Sequence, residues 1–113
     1  MPTLFERIIK GEIPGTFVYR DAEVVAIRDI APQAPTHILI IPVRPIPALS
    51  GVSDGDQALL GRMLLLARDL ARQEGLTAGG YRLVINEGAD GGQTVPHLHL
   101  HLLGGRAFSW PAG

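Results

Sequence analysis

The segment His97-Leu98-His99-Leu100-His101-Leu102-Leu103 constrains the chain more than any other. Successive side chains of a β-strand point to opposite faces, so this alternation predicts a strand with three imidazoles on one face and leucines on the other. The leucines demand a hydrophobic core behind the strand. The imidazoles demand a use, because packing does not select a row of histidines on one face. A fourth histidine, His37, opens a second strand-like run, His37 to Ile41, which is apolar enough to be buried on both faces and is ended by Pro42.

The remaining elements follow from periodicity and punctuation. Thr3 and Glu6 form a capping-box pattern that opens a short helix carrying Leu4, Ile8 and Ile9, with Gly11 as its stop. Ile13-Pro14-Gly15 reads as a turn. Thr16 to Tyr19 and Glu23 to Asp29 read as a hairpin, and Ala31-Pro32-Gln33-Ala34-Pro35 as a rigid connector. A long helix is expected from Ser53 or Asp54 to Gly75, with Leu59, Met63, Leu66, Ala67 and Leu70 as its apolar stripe. Leu60, Leu64 and Leu65 widen that stripe and call for a second buried side, for which a partner subunit is one candidate. Tyr81 to Asn86 reads as the fourth strand and Glu87 to Thr94 as a glycine-rich loop. Five strands around one long helix imply a single α+β domain over residues 1–113 with an antiparallel sheet.

Composition removes whole classes of function. The 113 residues hold ten basic and eleven acidic side chains, so no positive field draws the chain to nucleic acid. There is no cysteine, hence no disulfide, thiolate metal site or cysteine nucleophile. The amino terminus lacks the basic and apolar regions of a signal peptide, and no apolar run approaches the ~20 residues needed to cross a bilayer. A cytoplasmic protein without membrane contact is the expectation.

Two chemistries compete for the imidazoles. A His-x-His pair on a strand can supply two zinc ligands, but four rises of ~3.3 Å set His97 and His101 roughly 13 Å apart at Cα. Only His37 remains to complete a site, so no native metal is expected, although adventitious zinc or nickel is. Alternatively, an imidazole of reference pKa about 6.5 is neutral at pH 7 and available as nucleophile or base, with its neighbours as proton donors. The nearby glycine-rich loop allows backbone N–H groups to approach a phosphate. Together these features point to a phosphate-processing site.

The histidine run matches the pattern His-φ-His-φ-His-φ-φ, with φ apolar, at every position. With Asp29-Ile30-Ala31-Pro32-Gln33-Ala34-Pro35-Thr36-His37, Asn86-Glu87-Gly88, Gly91-Gly92-Gln93-Thr94-Val95, Leu103-Gly104-Gly105-Arg106 and Trp110-Pro111-Ala112-Gly113, the chain resembles the histidine triad superfamily. Within it, the likeness is to the Hint branch, the histidine triad nucleotide-binding proteins, and runs from about Leu4 to Gly113. The resemblance implies a HIT-like fold and a homodimer whose two five-stranded sheets join into ten strands. It implies hydrolysis of purine nucleoside 5′-phosphoramidates, such as conjugates of AMP with an amine or lysine, through a nucleotidyl-histidine intermediate and with no required cofactor. His99 would be the nucleophile, oriented by the His97 carbonyl. His101 would donate to a phosphoryl oxygen, and His37 would support the row. Asn86, Gly92, Thr94 and Val95 would line the phosphate and leaving-group side. Asp29 would hold the ribose, and Leu4, Phe5, Ile8, Ile27 and Ile30 would form the slot for the base. By residue type alone Asp29 also suits a plain turn, and Phe5 and Ile8 a plain core. The closing Trp110 would reach towards the partner's site. Pro96 and Pro45 stand where relatives often carry an aromatic residue and a histidine. Other expectations are a dinucleoside polyphosphate hydrolase of another triad branch, or a nucleotide-binding scaffold with little turnover.

Overall fold

The computed structural model describes residues 1–113. Its elements are helix α1 (Leu4–Ile9), strands β1 (Phe17–Arg20), β2 (Val24–Arg28) and β3 (Thr36–Pro42), helix α2 (Gln57–Gln73), and strands β4 (Tyr81–Val84) and β5 (Leu100–Gly104). The strands form one antiparallel sheet in the order β1-β2-β3-β5-β4. The α+β class and the five-stranded sheet with one long and one short helix are as the sequence predicts. No helix is long and apolar enough to cross a membrane.

Alternation along the strands divides the core into two layers. Val24, Ala26, Ile38, Ile40, Leu98, Leu100 and Leu102 face α2 and pack against its Met63, Leu66, Ala67, Leu70 and Ala71. Val25, Ile27, Leu39 and Ile41 face the other way and meet Phe5 and Ile8 of α1. Each fully buried aliphatic side chain of this kind contributes about 1.5–3 kcal/mol from removal of apolar surface from water. α1 has only six residues, too few to hold as an isolated helix. Both halves of its capping box are present, Thr3 Oγ1 accepting the Glu6 N–H and Glu6 reaching back to the Thr3 N–H, and its packing on the sheet supplies the rest.

Several boundaries move from their sequence positions. α2 is preceded by a 3₁₀ turn at Asp54–Asp56, capped reciprocally by Ser53 and Asp56, so the regular helix starts at Gln57. Gly75, with φ +75°, follows its end as expected. β4 ends at Val84 rather than Asn86, and the paired part of β5 starts at Leu100 rather than His97. The last pair of β3 with β5 is Ile40↔Leu100. Beyond it β3 ends in Pro42, which has no N–H to continue a ladder, and the His97 side chain takes the Pro42 carbonyl instead. The alternation still holds across the break: Leu98, Leu100 and Leu102 all lie in the α2 layer. On α2, Leu64 and Leu65 remain half exposed, so the second side expected to be buried is open in a single chain.

Candidate active site

The imidazoles stand in a row on the α1 face of the sheet. Phe5 lies edge-on to His97 and His99, with ring centroids 6.0 and 4.9 Å away, and His99 and His101 are 4.9 Å apart. His97 is fully buried, and His99 and His37 are nearly so.

Groups that can only donate or only accept fix where each ring carries its proton. His99 Nδ1 lies 2.7 Å from the His97 carbonyl, which only accepts, so the proton is on Nδ1 and Nε2 keeps a free lone pair. His97 Nε2 donates to the Pro42 carbonyl at 2.8 Å, leaving Nδ1 to accept from the Thr3 hydroxyl at 3.2 Å. The Gln33 N–H donates to His37 Nδ1 at 3.0 Å, which places the His37 proton on Nε2. From there it donates to His101 Nδ1 at 2.9 Å, and the remaining proton of His101 is on Nε2. The row therefore offers one bare ring nitrogen, on His99, beside one N–H donor, on His101.

Burial is the main force on their charge. It lowers the pKa of His99, outweighing the hydrogen bond to the His97 carbonyl. It also lowers that of His37, against the attraction of Asp29, whose Oδ2 lies 3.5 Å from His37 Nε2. His101 is pushed down to about 4 by burial and then by His99 and His37. All three are neutral at pH 7, as a nucleophile and neutral donors must be.

A cavity of about 210 Å³ opens in front of this row. Its wall contains His99 and His101, with Asp29, Thr94 and Val95 around them, and Leu4, Phe5, Ile8, Ile27 and Ile30 on the apolar side. Ten residues singled out from sequence thus share one cavity. Ile30, 90% exposed, and Leu4, 41% exposed, form its mouth. His37 and His97 stand behind, acting through the rings they touch. Asn86 and Gly92 are not brought to the wall: the Asn86 amide donates to the Gly91 carbonyl at 2.6 Å and ties the glycine-rich loop to itself. That loop is also held by Gln93, which accepts the Gly88 N–H and donates to the Pro47 and Val95 carbonyls.

The cavity adds Ile13, Pro14, Arg28 and Leu39, which sequence reasoning missed. Leu39 was legible, since it stands two residues from His37 on the same strand face. Ile13 and Pro14 carried no local signal. A larger hollow of about 480 Å³ lies between the β1–β2 turn, the end of β3 and the start of α2, but it holds no histidine and its Arg44 and Asp56 are paired with each other.

Asp29, His37 and His101 also bring potential metal-ligating atoms within 4.8 Å of one another. A zinc ion bound at about 2.0–2.1 Å needs its ligand atoms as lone pairs. His37 presents Nε2 to this cluster, and the Gln33 amide on Nδ1 keeps the proton on Nε2. As arranged, the donor set does not fit a metal ion.

This arrangement has close counterparts. The HIT domain model matches residues 10–108 of the chain. The chain belongs to the HIT domain family. A HIT family hydrolase from Legionella pneumophila Philadelphia 1 superposes with a TM-score of 0.96 at 53% identity, covering 99% of this chain and 100% of that one. The histidine triad nucleotide-binding protein from Candida albicans superposes with a TM-score of 0.83 at 31% identity, covering 99% and 85%. The 14 kDa zinc-binding protein of Zea mays is 53% identical over 115 residues, covering 99% of this chain and 88% of its own. The HIT-like fold is thereby established for this chain, and its solved HIT neighbours include hydrolases.

Proposed function

We propose that this HIT protein is a nucleoside phosphoramidase of the Hint branch, cleaving the P–N bond of purine nucleoside 5′-phosphoramidates. One observation carries the proposal: a neutral His99 with its proton held on Nδ1 and Nε2 bare, at the wall of a cavity that is otherwise largely apolar. The flat base enters between Leu4 and Ile30 onto Phe5 and Ile8, where a purine covers apolar surface that is otherwise wet. Asp29 accepts from the ribose hydroxyls.

His99 Nε2 attacks the α-phosphorus, an Nε2–P bond forms and the P–N bond to the amine breaks. The leaving nitrogen takes a proton handed on by the Thr94 hydroxyl from solvent. His101 donates its Nε2–H to a phosphoryl oxygen as charge builds there. Water then attacks phosphorus, the His99–P bond breaks, and the monophosphate leaves while the water proton returns to solvent. The scheme asks for no cofactor, and a covalent intermediate splits one hard displacement into two easier ones.

The functional unit is a homodimer with a ten-stranded sheet. The outer edge of β4 is unpaired, Tyr81 and Ile85 are exposed on the same strand face as the inward-packing Leu83, and Leu64 and Leu65 of α2 are exposed too. A bare strand edge flanked by apolar side chains favours association with a second copy. Trp110, 84% exposed, is free to reach a partner's cavity.

The test is hydrolysis of adenosine 5′-phosphoramidate by the parent and by His99→Ala, with intact-mass analysis of quenched samples. Turnover and a nucleotidyl adduct in the parent alone are expected. Activity surviving in the variant would remove His99 as nucleophile. Tight monophosphate binding without turnover in the parent would favour a binding scaffold.

A further inference from the structure

Arg106 plays no part in the chemistry above, yet it is placed with unusual economy. It forms no ion pair with any carboxylate. Its Nε donates to the Gln33 carbonyl at 3.0 Å, its Nη1 donates to the Ala107 carbonyl at 3.0 Å, and its guanidinium lies 4.2 Å over the Phe108 ring. Gln33 is the residue whose N–H sits on His37 Nδ1. Gly105 makes the approach possible: its φ is +90°, and a Cβ there would come within 2.9 Å of Pro35. The chain leaving β5 thus runs against the 29–35 loop, and Arg106 fastens the two together.

We propose that Arg106 is a positioning residue for the imidazole row: by holding the Gln33 carbonyl it keeps the Gln33 N–H on His37 Nδ1, and so keeps the His101 proton on Nε2, facing the cavity. The effect is one of placement. The Gln33 carbonyl and N–H belong to different peptide groups, and Arg106 acts by fixing the residue that carries both. The Gln33 side chain, donating to the Ala31 carbonyl at 2.9 Å, is the second tether.

If Gln33 drifts, His37 can shift its proton to Nδ1. Its Nε2 then faces His101 Nδ1 as a second lone pair, and His101 must move its own proton to Nδ1 to restore the hydrogen bond. What His101 then turns to the cavity is a lone pair, which repels a phosphoryl oxygen. This consequence for rate rests on the phosphoramidase reading, whereas the proton positions do not.

The experiment compares the parent with Arg106→Met and Arg82→Met. Arg82 also lies over the Phe108 ring, at 5.1 Å, and donates to the Ser109 carbonyl at 2.8 Å, so it also anchors the tail but is not bonded to Gln33. Long-range proton–nitrogen NMR correlations read which nitrogen of His37 and His101 is protonated, with no substrate present. Arg106→Met alone is expected to move His37 and His101 from the Nε2–H to the Nδ1–H form. It should also lower kcat roughly tenfold with KM little changed, the signature of a misplaced donor. Parental tautomers in Arg106→Met would overturn the proposal, as would an equal change in Arg82→Met, which would assign the effect to the tail. An inactive parent would sink the phosphoramidase reading and leave the tautomer measurement standing.

Discussion

The two faces of the sheet are built on different terms. The α2 face is covered by a helix of 17 residues and joins 14 buried residues in one cluster, whereas the α1 face is covered by six residues of helix and joins only six. Stability is concentrated on the first face, and the second leaves a cavity walled by imidazoles. The strand carrying the histidines serves both, since each leucine that anchors it in the core fixes the histidine beside it. Preorganisation of the row is therefore obtained from the opposite side of the sheet.

That division predicts that damage to the two faces separates. Leu70, 2% exposed in the α2 layer, should cost about 3 kcal/mol on Leu70→Ala, as large-to-small changes in a core do. Urea unfolding would record the loss, while kcat per folded molecule stays at the parental value. On the other face, His101→Ala removes a single donor and should lower kcat about 10²-fold, with a much smaller shift in the urea midpoint. If both variants lost activity and stability in the same proportion, the two faces would not be independent.

Mild acid should act first on the histidine face. Burial lowers the pKa of His99, His37 and His101, the last to about 4, below the ordinary histidine value of 6.5. Between these values the unfolded chain binds more protons than the folded one, so stability is full above about 6.5 and declines as pH falls towards 4. Urea midpoints measured from pH 7.5 to 4.5 should show this decline in the parent and in Leu70→Ala alike. The slope should be shallower in His101→Ala. The acid limb of the rate profile should lie below 6.5 for the same reason.

Legibility in the sequence followed the same division. Where one local pattern dictates structure, the sequence was enough: the Thr3–Glu6 capping box, the α2 stripe, and the alternation that places Leu98 and Leu100 inward. Where a partner decides, it was not. β5 begins at Leu100 because Pro42 cannot continue the ladder, a fact of register between segments far apart in sequence. Ile13 and Pro14 reach the cavity mouth only because of how the turn after α1 packs. The tautomers were hidden for the same reason, being set by Pro42, Gln33 and Thr3, none of which carries a motif for that task.

Thr3 joins a local signal to a distant consequence. Its hydroxyl accepts the Glu6 N–H as helix cap and also bonds His97 Nδ1. Thr3→Ala should cost about 1 kcal/mol from the cap. Because α1 carries Leu4, Phe5 and Ile8, that loss should also raise KM for the nucleotide several-fold, with kcat nearly unchanged. Steady-state kinetics beside urea unfolding checks both.

The smallest expected effect concerns the outside of the α2 face. Gly61 sits within α2, and nothing lies within 4 Å of where its Cβ would go. Glycine in a helix interior is less favourable than alanine by about 0.8–1.0 kcal/mol, so Gly61→Ala should raise stability by up to that amount. On the helix surface Gly61 is flanked by Gln57, Leu64, Leu65 and Arg68, the side left exposed by a single chain. A gain in the urea midpoint with unchanged sedimentation would mean that this glycine faces water in the assembled protein. A loss, together with dissociation at higher concentration than the parent, would mean that a second chain packs on the bare backbone, where a methyl group has no room. The sign of this one substitution therefore tells whether the proposed dimer closes over the helix or only along the edge of β4.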